Sequence, residues 1–280
     1  MFYRIISTVI LWTATITVIV YLGSFGFCIL MFLLSAAAMF EASKLLEKLG
    51  ARPMIAAAQT ANAAIFFGGW AASNFGVLDA AGGSLIAAVC VCALSISIAA
   101  HPYDDFFQKR FLPTAALILA IPFMLQWLSA VSADVRGATS EYTGTVLAVW
   151  ILAAAKASDL GGYVIGAAFG RTPMSPQISP NKSWEGAAGG IFSSAAFSAC
   201  IAWGFASVLP NVFTPALAAV LGAIIGAIAI LSDLLESVLK RRAKEKDSGS
   251  LIPGIGGALD LADSLLLTAP VGALVLALIL

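Results

Sequence analysis

The sequence predicts an all-α, polytopic integral membrane protein of about nine transmembrane helices, with a polar, cytoplasm-facing site between the C-terminal helices. Three observations carry that expectation. The 280 residues are 60% hydrophobic and only 11% charged, whereas soluble domains carry about 25% charged residues; mean hydropathy is +0.97. Apolar stretches of about 20 residues, the length that crosses a bilayer, recur along the whole chain. Lysine and arginine also alternate between connecting segments as the positive-inside rule requires. A formal net charge of zero gives no electrostatic reason to expect a nucleic-acid partner.

The stretches run in order 5–22, 25–40, 53–72, 77–100, 112–133, 144–169, 186–209, 214–239 and 259–280. The first is too long for a signal peptide and lacks a clear cleavage pattern, so it is read as a retained helix. A short turn at Gly23-Ser24 separates it from the second, where it could hide a hairpin. The second keeps helical spacing past the membrane, through EASKLLEKLG to Gly50, and Arg52-Pro53 opens the third. With the N-terminus in the cytoplasm, Arg4, Lys44, Lys48, Arg52, Lys109, Arg110, Arg171, Lys182 and the five basic residues of 240–246 all face inward. Only Arg136 lies outside and Lys156 within a span. The C-terminus is then expected outside, and the N-terminus and the site inside, in a membrane such as the bacterial inner membrane. No internal repeat of the transporter kind is visible.

The chain divides by this reading into N-terminal helices at 1–143 and a C-terminal region at 144–280. Cys28, Cys90, Cys92 and Cys200 all lie in apolar stretches and are read as buried small hydrophobes. The single His101 cannot build a histidine metal site alone.

Charge inside the apolar C-terminal stretches is the main functional signal. Asp233 and Glu236 lie one turn apart, with Lys240 a further turn on, and Asp260 and Asp263 repeat the three-residue spacing. Each pair lines one helical face. A carboxylate at bilayer depth costs at least about 2.5 kcal/mol, so it faces a partner, a cavity or a metal. Oxygen-only ligands of this kind suit Mg²⁺ beside phosphates. The plainer alternative pairs these acids with Lys240, Arg241, Arg242, Lys244 and Lys246. The loop from Lys246-Asp247-Ser248-Gly249 to Gly256-Gly257 offers backbone N–H groups of the sort that cradle anions.

Further upstream, Lys156 and Asp159 share a helical face. Gly161, Gly162, Gly166 and Gly170 follow, and small residues let a neighbouring helix approach closely. The next connection presents Arg171, Ser175, Ser179, Asn181, Lys182 and Ser183 before Glu185 opens a helix, stiffened by two Ser-Pro dipeptides. Hydroxyls and cations ahead of a helix N-terminus suit a phosphate.

These residues resemble the phosphatidate cytidylyltransferase (CDP-diacylglycerol synthase) family. The family motif is matched across 237–263 by Ser237, Lys240-Arg241, Lys246-Asp247, Ser248-Gly249, Pro253-Gly254, Gly256-Gly257, Asp260 and Asp263. Upstream, Asp159, Tyr163, Gly166, Gly170 and Arg171 match, followed by Ser179-Pro180-Asn181-Lys182-Ser183-Trp184-Glu185-Gly186. The resemblance covers about 145–270. Ile255 stands where the family has His, and Leu261 where it has Arg. The resemblance implies cytidylyl transfer from CTP to phosphatidate, giving CDP-diacylglycerol and pyrophosphate, by a homodimer embedded among membrane lipids. It implies Asp233, Asp260 and Asp263 as metal ligands for Mg²⁺, with room for a second cation such as K⁺, and Lys182 and Lys240 as catalytic cations. Asp159, Arg171, Ser179, Ser183, Glu185, Glu236, Arg241, Lys246, Asp247, Ser248, Gly249, Gly256 and Gly257 would contact nucleotide or metal. Three rivals remain at this point: a CTP-dependent lipid-alcohol kinase or ether-lipid enzyme, an ion or solute transporter, and an inactive relative.

Overall fold

A computed structural model describes residues 2–74, 106–133, 138–251 and 256–280, with side chains from Thr13 onward. The expected 77–100 stretch, with Cys90, Cys92 and His101, lies outside the described residues, as do Arg136 and Ile255. Among the described residues six helices are long and apolar enough to cross a membrane. The all-α membrane architecture is therefore borne out. The chain forms two compact units, 1–134 with 242–262, and 135–241 with 263–280. The 237–263 motif is thus divided between them.

In the first unit, α1 runs from Phe2 to Lys48 and is broken at Gly23 (φ 56°, ψ −137°). Glycine alone reaches that conformation without strain. A Cβ on Gly26 would stand 2.6 Å from the Val18 carbonyl oxygen, so the chain turns back tightly around the break. The stretches expected at 5–22 and 25–40 are therefore two helical limbs separated at Gly23, where the sequence places its turn, and the second limb extends to Lys48 as its spacing implied. Helix α2 (Ile55–Ala63) passes through a π-helical turn (Ala64–Gly68) into α3 (Gly69–Asn74). A second π turn (Phe107–Phe111) leads to α4 (Leu112–Ala120) and α5 (Pro122–Ala133). The missing N–H of Pro122 accounts for the interruption between them. Buried polar groups are satisfied between helices: the Ser35 hydroxyl donates to Asn62 Oδ1 at 2.8 Å, and Gln59 Nε2 to the Ala36 carbonyl at 2.8 Å. Such bonds join apolar helices that gain nothing from expelling water.

The second unit holds α6 (Thr143–Phe169), the strands β1 (Pro173–Ser175) and β2 (Ser179–Ser183), α7 (Trp184–Gly204) and α8 (Pro215–Arg242). It also holds α9 (Ala258–Ile279) from Asp263 onward. Helices α6 and α7 pack backbone against backbone. A Cβ on Gly161 would meet Ser193 Oγ at 2.1 Å, and one on Gly190 the Ser158 carbonyl at 2.8 Å. Helix α8 joins the same seam through Ser194 Oγ donating to the Gly222 carbonyl (2.6 Å) and Ser158 Oγ to that of Gly226 (3.1 Å). Outward faces are apolar: Phe192 and Trp203 of α7 are 74% and 78% exposed, as suits lipid contact. Cys28 is buried as expected, but Cys200 is exposed on that lipid-facing surface of α7, so it is no core residue. The 171–183 segment, expected as an irregular polar loop, forms a two-stranded antiparallel hairpin with Pro173 opposite Ser183 and Ser175 opposite Ser179.

Candidate active site

Two clusters of polar side chains occupy the C-terminal motif, one in each unit. The first is built on α6, α8 and α9. One oxygen each from Asp233, Glu236 and Asp263 lies within 4.8 Å of the others. Asp233 and Glu236 stand one turn apart on α8, as the spacing required, and Asp263 comes from α9. Two bonds seat α9 against α8: the Ser232 hydroxyl donates to the Asp263 carbonyl, and the Leu267 N–H donates to Ser232 Oγ at 3.3 Å. The converging trio differs in one member from the expected metal set, holding Glu236 where the sequence reading has Asp260.

Each acid also has an ammonium partner. Lys182 Nζ lies 2.6 Å from Asp233 Oδ2, and Lys240 pairs with Glu236 one turn back on α8. Lys156 Nζ lies 3.2 Å from Asp159 Oδ2 and 3.8 Å from Asp263 Oδ1, and donates to Ser264 Oγ at 2.7 Å. Ser264 in turn donates to Asp159 Oδ2 at 2.9 Å. Buried charges survive when paired and hydrogen-bonded in this way. The carboxylates thus converge and are compensated at once.

The second cluster lies in the first unit and is organised by Glu41, a residue that the sequence reading did not single out. Glu41 is only 7% exposed on the second limb of α1. Its Oε2 accepts from the Ser248 hydroxyl (3.0 Å) and the Leu259 N–H (2.9 Å). Asp260 Oδ2 accepts from Ser248 N (3.1 Å) and Gly257 N (2.8 Å) and lies 2.9 Å from Ser248 Oγ, which shares its one hydrogen between the two carboxylates. The Asp260 carboxylate therefore organises the backbone of its loop here. A Cβ on Gly249 would fall 2.3 Å from Glu41 Oε1, and one on Gly257 2.2 Å from Oε2, so Glu41 lies directly against both motif glycines. Gly256 takes φ 122°, which side chains rarely adopt.

Other expected contacts divide into structural and open. Ser183 caps α7 by accepting from Gly186 N at 3.1 Å. Glu185 accepts from the backbone of Arg171 and Thr172 at 3.2 Å and from the Thr172 hydroxyl at 2.8 Å. Both residues shape the α6–α7 connection, a capping role that serine and an early glutamate commonly fill. The Arg241 Nε donates to the Ile178 carbonyl at 3.1 Å, tying the end of α8 to the hairpin. The side chains of Arg171, Lys246 and Asp247 are exposed, and Ser179 is half-buried at the start of β2. Leu261, in the first turns of α9, supplies no charge.

Comparison with known proteins adds a family. The model of a cytidylyltransferase family matches residues 2–279. The chain is 40% identical to a phosphatidate cytidylyltransferase of Mycobacterium leprae (strain TN) over 125 residues, 43% of this chain and 37% of that relative. It is 40% identical to one of Synechocystis sp. over 128 residues, 46% and 42% of the two chains. A Haemophilus influenzae phosphatidate cytidylyltransferase is 31% identical over 183 residues, 64% of this chain and 62% of that protein. The chain thus spans less than two thirds of the length of each of these relatives.

Proposed function

The chain belongs to the cytidylyltransferase family, and on that premise we propose that it transfers a cytidylyl group from CTP to phosphatidate. A phosphate oxygen of phosphatidate attacks the α-phosphorus of CTP. The bond from that phosphorus to the bridging oxygen of the β-phosphate breaks, and pyrophosphate leaves as CDP-diacylglycerol forms. The nucleophile is already anionic near neutral pH, so the chain needs no strong base. It has to align two polyanions and offset their repulsion.

The observation that carries this reading is the convergence of Asp233, Glu236 and Asp263 within 4.8 Å, ringed by Lys156, Lys182 and Lys240. Three carboxylate oxygens from two helices suit a hard divalent cation, which takes oxygen ligands and keeps waters and phosphates in its remaining positions. Asp233, Glu236 and Asp263 would hold Mg²⁺. When bound, the metal would neutralise charge accumulating on the phosphates. Lys182 and Lys240 lie beside the same carboxylates and would clamp phosphate oxygens once those acids turn to the metal. Arg171, exposed in the same unit, would receive the outer phosphates. Asp260 would hold Ser248 and Gly257 in place within its own unit, as its bonds to them indicate. The protein would work as an integral membrane enzyme among phospholipids, as a homodimer, with this site on the cytoplasmic face of a bacterial inner membrane where CTP is available.

The test is direct. Purified protein in detergent, supplied with labelled CTP, Mg²⁺ and phosphatidate, is expected to give CDP-diacylglycerol and one pyrophosphate per turnover. Release of CDP with a phosphorylated lipid instead would reassign it as a CTP-dependent kinase. Solute flux in liposomes without any nucleotide product would make it a transporter.

A further inference from the structure

The Lys156 ammonium touches three separate oxygen-bearing side chains of the acid–lysine cluster. It lies 3.2 Å from Asp159, 3.8 Å from Asp263 and 2.7 Å from the Ser264 hydroxyl, and its side chain is 23% exposed. Ser264 closes the ring by donating to Asp159 at 2.9 Å. An ammonium surrounded by two carboxylates and a hydroxyl has the oxygen environment that a diffusible monovalent cation takes. Here it is covalently tethered to α6.

Charge balance says what the tether accomplishes. Within these four ion pairs three ammonium groups, Lys156, Lys182 and Lys240, stand against four carboxylates, Asp159, Asp233, Glu236 and Asp263, a difference of one negative charge when all four acids are ionised. One divalent cation then takes the cluster past neutrality before any nucleotide arrives. Without Lys156 the deficit doubles, and Asp159 and Asp263 face each other uncompensated at bilayer depth, where charge is costly.

We infer that Lys156 is a built-in monovalent cation of the site: it bridges Asp159 and Asp263 and places one positive charge between them, so that the enzyme needs one divalent cation and no added monovalent one. The inference rests on the functional reading above, but its binding prediction does not depend on turnover. Lys156 is a positioning residue here, acting through Asp263 and not on substrate.

The experiment compares wild type with Lys156→Met and Lys156→Arg in detergent, in ammonium chloride, potassium chloride or choline chloride at equal ionic strength. Electron paramagnetic resonance counts bound Mn²⁺ in place of Mg²⁺, and thermal midpoints report cation binding without turnover. Wild type is expected to bind one Mn²⁺ without nucleotide, and to show the same activity and midpoint in all three salts. Lys156→Met should lose roughly tenfold to hundredfold in activity in choline chloride, the value of a lost charged hydrogen bond. It should regain most of that in ammonium or potassium chloride, with a rise in midpoint that wild type lacks. Lys156→Arg should remain independent of the salt. Dependence of wild type on potassium or ammonium overturns the inference, even if Lys156→Met does not fold. So does a folded Lys156→Met protein whose activity and midpoint ignore the monovalent cation. A wild type that makes no CDP-diacylglycerol but passes the Mn²⁺ and midpoint tests removes the functional reading and leaves the cation role standing.

Discussion

At the scale of single residues, the acids of the motif separate into two jobs by what surrounds them. Asp233, Glu236 and Asp263 point their oxygens at one another, an arrangement that is costly without a cation. Replacing Asp263 with Asn removes one oxygen charge while keeping its volume. Activity is expected to fall at least about a hundredfold, and Mn²⁺ binding with it; normal turnover would exclude Asp263 from the metal. Glu41 does something different, holding Ser248 and Leu259 from across the chain. Glu41→Ala leaves a buried N–H and hydroxyl without that acceptor, at a cost of about 1–3 kcal/mol. Glu41→Gln keeps an acceptor for Leu259 and should recover much of the loss. Amide exchange over residues 248–259 in the intact protein is the readout: protection should drop in Glu41→Ala and return in Glu41→Gln. The sequence could not disclose Glu41, because EASKLLEK reads as the wet end of a helix. Its partner Ser248 lies 207 residues away. The carboxylates at bilayer depth were legible for the opposite reason, since their environment alone makes them expensive.

At the scale of elements, hydropathy located the helices of the second unit to within a few residues, because the length of an apolar run is nearly all that spanning a bilayer requires. It could not distinguish a helix that breaks from two that turn, since Gly23-Ser24 permits either and only the backbone angles decide. The 173–183 hairpin was hidden for a related reason. Its strands are three and five residues long and contain Pro173 and Pro180, residues that demote a strand reading. The glycine run after Asp159 did announce close packing, and α6 and α7 meet there. Gly161→Leu puts a side chain where Ser193 already stands, 2.1 Å from the first added carbon. Overpacking of this kind costs about 1–3 kcal/mol or more. The variant should melt earlier in detergent than a Gly204→Leu control, whose added carbon meets nothing within 4 Å. Equal midpoints would mean that the α6–α7 seam contributes little to stability. Because Lys156 and Asp159 sit five and two residues before Gly161 on α6, the seam also fixes where those two groups present themselves.

At the scale of the whole chain, the order of helices decides which side of the membrane the acid cluster faces. Within the second unit the two ends are chemically distinct. At one end Arg241 bonds the hairpin at Ile178, and Lys182 pairs with Asp233. At the other, the hydroxyls of Thr139 and Thr143 donate to the Val208 carbonyl at 2.7 and 2.8 Å, closing an end without ionised partners in those bonds. Helices α7 and α8 each run between these ends, so the hairpin and the C-terminal end of α8 share one side. The basic residues Arg171, Lys182, Lys240 and Arg241 fall on that side, and an excess of Lys and Arg near span ends is retained in the cytoplasm. A hydrophilic, membrane-impermeant maleimide reads this out in a chain whose four native cysteines are replaced. A cysteine introduced at Gln177 should react in inside-out vesicles and stay unlabelled in intact cells; one at Asn211 should do the reverse. The opposite pattern would place the acid cluster away from cytosolic CTP, and no arrangement of its lysines and carboxylates could then serve cytidylyl transfer in the cell.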